Sequence, residues 1–327
     1  MPRSQKPDPF FAGKTALVTG GTRGLGLAIA RALLARGAKI AVCSRDAREV
    51  EAAALALGTP ERVLASVCDV TDAAAVANFV AEIESRLGPI EIAINNAGTI
   101  VVAPYEDMTL DDIHRVVEVN FFGAVNVMEA VVPGMRRRKR GSIVNVASVG
   151  GVIPVPHLAA YCASKFALNG FSLTVGAELR RSGIRVSVVN PGLMRTGSPG
   201  NATFKGNAKA EYGWFALSDS LPLITISAER AARQILRACR NRRPFTILSL
   251  PAGLGALAQG LAPNAVALLM SLITRLLPQP TGDRARYARG HESESPLVPS
   301  ALTTLTQRAE VRNNELPARR PALDLPG

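Results

Sequence analysis

The chain reads as an α/β protein built on one doubly wound parallel sheet of about seven strands, with an apolar helical extension after it. Three observations predict this. Along the first 250 residues, short apolar runs rich in Val, Ile and Ala alternate with longer stretches of helical periodicity, as where strands are buried on both faces and joined by crossover helices. A glycine-rich turn separates the first run from the first helix, and polar side chains recur at the ends of later runs. Open α/β sheets gather ligands at that carboxyl edge.

Taken in order, KTALVT at 14–19 is a strand and LGLAIARALLARG at 25–37 a helix with a glycine stop. KIAVCS at 39–44 is the second strand, and the helix over 46–57 begins at Asp46, a residue suited to capping it. A strand at 62–67, a helix from Thr71 or Asp72 to Leu87 and a strand at 90–94 continue the alternation. A long helix from Leu110 to about Met135 leads to SIVNVA at 142–147, and a helix ending near Arg181 leads to IRVSVV at 184–189. FTILSL at 245–250 is the seventh strand. Residues 1–250 therefore form one domain, 251–278 an apolar helical extension, and 279–327 a tail that mixes Pro, Ser, Arg and Glu without apolar periodicity and reads as mostly disordered.

Composition excludes several classes. Cys43, Cys68, Cys162 and Cys239 form no CxxC pair, and His114, His157 and His291 are scattered, so neither a zinc site nor a disulfide framework is expected. The N-terminal MPRSQKPDPFFAGK carries charges and three prolines where a secretory signal needs an apolar run of about 7–15 residues, which suits a reducing cytoplasm. A net charge of +12 invites a nucleic-acid partner. The densest basic run, RRRKR at 136–140, lies instead where a helix ends and complements its dipole, and no RNP-like or finger pattern accompanies it. No nucleic-acid partner is expected.

The glycine turn is Thr19-Gly20-Gly21-Thr22-Arg23-Gly24-Leu25-Gly26. Between a strand and a helix, such glycines let backbone amides and the helix dipole meet a phosphate closely. Its spacing, TGxxxGxG, differs from the GxGxxG fingerprint. Further on, Tyr161 and Lys165 are four apart, hence on one helix face, where an ammonium stabilises a phenolate. Ser148 stands thirteen residues earlier, across a Gly- and Pro-rich loop. An isolated YxxxK is commonly no more than a solvated aromatic and a surface lysine.

The conjunction is more specific than its parts. TGGTRGLG, Asp69-Val70, Asn95-Asn96-Ala97-Gly98, Asn120, Ser148, YCASK and PGLMRT occur in one order, and over about residues 11–250 the chain closely resembles the short-chain dehydrogenase/reductase superfamily. That resemblance implies a Rossmann-type sheet and an oxidoreductase that interconverts a carbonyl and an alcohol with a nicotinamide cofactor. It makes Tyr161 the acid or base, Lys165 the group that lowers its pKa, Ser148 a hydrogen-bond donor to the substrate oxygen, and Asn120 the holder of a water linking Lys165 to solvent. It also implies cofactor contacts at Gly20, Thr22, Arg23, Gly24, Leu25, Gly26, Asp69, Val70, Asn96, Ala97, Gly98, Tyr161, Lys165, Pro191 and Gly192, with Thr196 at the carboxamide. A non-catalytic dinucleotide-binding sensor or scaffold is the competing class.

At the end of the second strand, relatives using NAD place an acidic residue for the ribose diol. Here Ser44 and Arg45 stand there and Arg23 lies in the glycine turn, which favours NADP(H) over NAD(H). Asp46, close by, is assigned to the helix cap. The long segment after Thr196, with Phe204, Tyr212, Trp214, Phe215 and Leu217, reads as a lid and pocket wall for a small lipophilic carbonyl or alcohol, or as cover for the sheet or an oligomer seam. A homo-oligomer is expected.

Residues 244–274 hold no charge, with Arg242, Arg243 and Arg275 at their borders. Pro251 and Pro263 divide them, and the longest proline-free piece before Pro278, 264–277, falls short of the roughly 20 residues a spanning helix needs. Two readings of 251–277 stand: a helical hairpin packed on the core or a partner subunit, and a peripheral contact with the inner face of a membrane near the active-site mouth.

Overall fold

The structure, a computed structural model, describes residues 7–219, 225–293 and 313–315. Its strands are β1 (Thr15–Thr19), β2 (Lys39–Ser44), β3 (Val63–Val67), β4 (Ile90–Asn95), β5 (Val101–Val102), β6 (Gly141–Val146), β7 (Ile184–Asn190), β8 (Met194–Arg195), β9 (Thr203–Lys205), β10 (Ile226–Ser227), β11 (Phe245–Ile247) and β12 (Tyr287–Arg289). Seven of them form the central sheet in the order β11-β7-β6-β4-β1-β2-β3. Every pairing within it is parallel. The order reverses between β1 and β4, and the crevice outside their carboxyl ends is where such sheets hold ligands.

The helices are α1 (Gly24–Leu34), α2 (Ala47–Leu57), α3 (Ala73–Arg86), α4 (Leu110–Val117), α5 (Gly123–Arg137), α6 (Ala159–Leu179), α7 (Ser198–Asn201), α8 (Ala208–Ser218), α9 (Ala228–Arg240), α10 (Leu250–Leu261) and α11 (Pro263–Thr274). Alternate residues of each strand face opposite layers. In β1, Ala16 and Val18 join the side packed by α1 and α9, whereas Leu17 joins the side packed by α3 and α5. The strands are buried on both faces for that reason, and their sequences carry almost no charge. Asp46 and Asp72 cap α2 and α3, each accepting from two backbone amides, as the sequence leads one to expect of Asp46.

Three elements differ from the sequence reading. The seventh strand ends at Ile247 rather than 250, because Ser249 caps α10 and accepts from the Ala252 amide. The long helix from Leu110 is interrupted by a π-helical turn, Glu118–Phe122, between α4 and α5. That combined helix, Leu110–Arg137, has the length and apolarity to cross a membrane, but buries Val116, Val127, Val131 and Met135 in the protein.

The third difference lies in the tail, read as mostly disordered. Its described part is ordered: β12 pairs antiparallel with β9, and the Thr281 and Gly282 amides donate to the buried Asp107 carboxylate at 2.9 and 2.6 Å. Residues 294–312 and 316–327 of that tail lie outside the described residues.

Candidate active site

The glycine turn closes the carboxyl end of β1. Gly20 and Gly24 have φ of +59° and +54°, where a side chain would be strained, and a Cβ on Gly26 would run into the Gly20 carbonyl. Asn96 braces the turn from β4, its amide donating to the Thr19 and Gly20 carbonyls at 3.1 Å each. The Asn96 and Ala97 amides donate in turn to Thr19 Oγ1.

At the catalytic end, α6 is locked to the sheet through a reciprocal amide pair, Asn169 with Asn190, at 2.9 and 3.0 Å. Asn169 also donates to the Gly151 carbonyl, fixing the loop that carries Ser148. Lys165 is buried and donates to the Val146 carbonyl at 3.0 Å, with its ammonium 5.7 Å from the centre of the Tyr161 ring. Ser148 Oγ accepts from the Gly150 amide at 3.1 Å, which leaves its proton free to donate. Burial pushes the Tyr161 phenol up to about 12, with the Ser148 hydroxyl pulling the other way. Burial also brings Lys165 down to about 8. Without a bound cofactor, then, burial holds the phenol neutral rather than ionised.

Asn120 sits in the π-helical turn, a distortion that recurs at functional sites. Its side chain accepts from the Thr99 amide at 2.7 Å and donates to the Thr99 carbonyl and Ser164 Oγ, each at 3.0 Å. It therefore joins β4's exit loop to α6 from behind, and it does not line the cavity, unlike every other catalytic or cofactor-binding candidate from the sequence.

That cavity has a volume of about 750 Å³ and runs from the glycine turn to α8. Asp69, Val70, Pro191, Gly192 and Thr196 line it, as do Ala97 and Gly98. Thr196 is fixed by Ser198, donating to its Oγ at 2.8 Å. Of the lid aromatics, Trp214 and Phe215 reach the cavity, whereas Phe204 and Tyr212 pack into a core of their own. Glu211 holds the lid to the loop before α6: it accepts from Trp214 Nε1 at 2.7 Å and lies 2.8 Å from His157 Nδ1.

Three residues that the sequence reading missed also line this cavity. Glu49, in the first turn of α2, accepts from Ser44 Oγ at 2.8 Å and Thr22 Oγ1 at 3.1 Å, and pairs with Arg23 at 3.3 Å. Its place five residues after Ser44, on a capped helix, is the signal that could have found it. Arg45 reaches Asp69 at 3.8 Å instead. Asp219, at the end of α8, has a buried carboxyl that burial pushes up to about 8 and that makes no side-chain hydrogen bond among the described residues. Glu315 enters from the tail, where composition gives no sign of a contact.

The donor set fits a dinucleotide phosphate. Thr22, Ser44 and Arg23 converge on one carboxylate, and the amides of Gly24 and Gly197 are taken by Asn313 and by Glu315, the latter at 2.5 Å. Carboxylates thus stand where anion donors gather.

A profile described as short chain dehydrogenase matches residues 14–204. Oxidoreductase BOA17 of Botryotinia fuckeliana (strain B05.10) is 39% identical over 189 residues, 58% of this chain and 69% of the relative. Dehydrogenase/reductase SDR family member 7B of Rattus norvegicus is 30% identical over 287 residues, 86% of this chain and 84% of the relative. Among solved structures, a short-chain dehydrogenase from Streptomyces avermitilis superimposes with a TM-score of 0.68 at 28% identity, covering 80% of this chain and 98% of that one. Levodione reductase gives 0.64 at 27% identity, covering 75% and 99%.

Proposed function

The chain belongs to the short-chain dehydrogenase/reductase family and is an NAD(P)-dependent oxidoreductase acting on CH–OH groups; from that premise we propose that it uses NADP(H) to interconvert a carbonyl and an alcohol on a lipophilic substrate. The observation that carries the reaction is the convergence of Ser148, Tyr161 and Lys165 on one wall of a cavity whose other end is the glycine turn. A sensor that only binds has no chemical need for that set.

When bound, the nicotinamide cofactor supplies or takes up the hydride. Tyr161 handles the proton at the substrate oxygen. A phenol near 12 is protonated at neutral pH, the form needed to give its proton to a carbonyl oxygen. Ser148, anchored by the Gly150 amide, donates to the same oxygen and stabilises the charge developing there. Lys165 places a cation beside the phenol and favours the phenolate that remains. Asn120 sets the position of α6 against the loop after β4. In the oxidation direction Tyr161 must start as the phenolate, and the ammonium of Lys165 is the chain's own contribution to that state.

The preference for NADP(H) rests on the donors Thr22, Ser44 and Arg23, which gather around an anion at Glu49; a 2′-phosphate takes the place of that carboxylate. Asp46, the carboxylate next along from Ser44 and Arg45, is occupied as the cap of α2. Trp214, Phe215, Leu158 and Val155 make an apolar substrate end, in which neutral Asp219 supplies one polar point.

The α10–α11 hairpin supports peripheral membrane contact. Its helices meet at 120° and expose Leu254, Leu261, Leu268 and Leu272. Arg242, Arg243 and Arg275 border it, and Ala252 lies against Gly192 at the cavity mouth. Flotation with anionic vesicles tests this contact; a protein that stays soluble and loses its oligomeric state on Leu→Ser substitution at Leu261 and Leu268 assigns the face to a second subunit instead.

The reaction is tested with a panel of lipophilic ketones and aldehydes, reading NADPH consumption. Turnover with NADPH well above NADH is expected. Binding of NADPH without turnover on any carbonyl, or tighter binding of NADH, overturns the reading.

A further inference from the structure

Three consecutive residues of the tail reach the cofactor end of the cavity. The Asn313 carbonyl accepts from the Gly24 amide at 2.8 Å. Asn314 Nδ2 donates to the Thr22 carbonyl at 3.1 Å. Glu315 Oε2 accepts from the Gly197 amide at 2.5 Å, while the Glu315 carbonyl accepts from Asn201 Nδ2 at 3.2 Å. A Cβ built on Gly24 would lie 2.6 Å from Glu315 Oε1, so the carboxylate occupies the space that the missing side chain leaves open. Asn313 and Glu315 are buried there.

This placement has chemical logic. The amide at the start of α1 lies at the partial positive end of the helix dipole, where an anion or an acceptor is stabilised. The tail brings both, a backbone carbonyl and a carboxylate, to the glycine turn on one side and to the Thr196–Ser198 loop on the other. Those are the two walls between which the dinucleotide reading places the pyrophosphate. Two acceptors cannot share one amide and one volume.

We propose that Asn313–Glu315 is an internal strap that occupies the pyrophosphate cradle and is displaced when a dinucleotide binds. The inference rests on the dinucleotide reading above. It goes further in giving the tail a regulatory role, since the affinity of the protein for its cofactor is then set by an exchange between Glu315 and phosphate at the same donors.

The test uses the full chain and two readouts. First, NADPH, NADH and ADP are titrated by fluorescence or calorimetry against the unaltered protein and against an Asn314→Ala, Glu315→Ala double variant. All three share the pyrophosphate, so each is expected to bind roughly 3–10-fold more tightly to the variant, the worth of one or two hydrogen bonds no longer displaced. A synthetic peptide of residues 309–320 added in trans should weaken that gain. Second, hydrogen exchange of the unaltered protein should show faster exchange at 313–315 on addition of ADP, while 20–26 become protected. Equal affinities for both proteins, or exchange at 313–315 that ADP leaves unchanged, overturn the strap. Failure of every dinucleotide to bind either protein overturns the cofactor reading itself.

Discussion

Lys165 and Tyr161 lie one turn apart on α6, and burial acts on them in opposite senses, lowering the ammonium to about 8 and raising the phenol to about 12. At neutral pH the pair thus combines a cation, present below about pH 8, with a phenol that stays protonated well above it.

Carbonyl reduction should accordingly be level between about pH 6 and 7 and fall above about pH 8, as Lys165 loses its charge. Initial rates at saturating NADPH measure this. Lys165→Met should remove that limb and lower kcat by roughly 10²–10⁴-fold, and Tyr161→Phe should lower it by a similar factor while leaving NADPH affinity nearly intact. A Tyr161→Phe protein that turns over normally would sink the assignment.

Glu49 accepts from Thr22 and Ser44 and pairs with Arg23, the same donors that the proposed reading gives to a 2′-phosphate. Glu49→Gln should tighten NADPH binding by roughly 3–10-fold and change NADH little, whereas Arg23→Ala should weaken NADPH by roughly tenfold or more. Loss of NADH affinity in Glu49→Gln, with NADPH unchanged, would instead identify Glu49 as a ribose ligand.

Asp219 carries a carboxyl whose folded value, about 8, lies far above the ordinary carboxylate range. Between about pH 4 and 8 the unfolded chain has released this proton and the folded one retains it, so its contribution to stability falls as pH rises through that window. An asparagine side chain in its place does not titrate. The variant Asp219→Asn should therefore gain stability over the unaltered protein from acid to alkaline pH, by on the order of 1–3 kcal/mol near pH 8, measured by denaturant titration. Persistence of the pH 8 limb of activity in this variant would attribute that limb to Lys165.

Gly26 faces the Gly20 carbonyl with no space for a methyl group. Gly26→Ala should displace the turn and weaken NADPH binding by roughly tenfold or more, read by the same titration; unchanged affinity would mean that the turn does not approach the phosphates.

Much of this was legible because strand and helix periodicities mark the layers, and because the residues at the strand ends are tied to a fixed order. Ser148, Tyr161 and Lys165 fall within one loop and one helix, and since their spacing alone also fits a solvated pair, it is the ordered set of motifs around them that singles them out. Glu49 and Asp219 were missed for a different reason. Their importance comes from what lies opposite them in space, Arg23 and Ser44 for one and the lid cavity for the other, and an acidic residue on a helix is ordinary by sequence. Asn313–Glu315 escaped for want of any periodicity at all. The extended strand at 245–250 was overrun by a cap, since Ser249 turns an apolar run into the start of α10.

The hairpin of α10 and α11 leaves the domain at β11 and comes back to it at Thr281, where Asp107 grips two amides and β12 joins β9 beside the lid. It is thus a handle riveted at both ends rather than a trailing anchor: one rivet lies beside Gly192, the other beside the strand that leads into α8. A surface that gripped such a handle would be tied to both sides of the opening rather than to one.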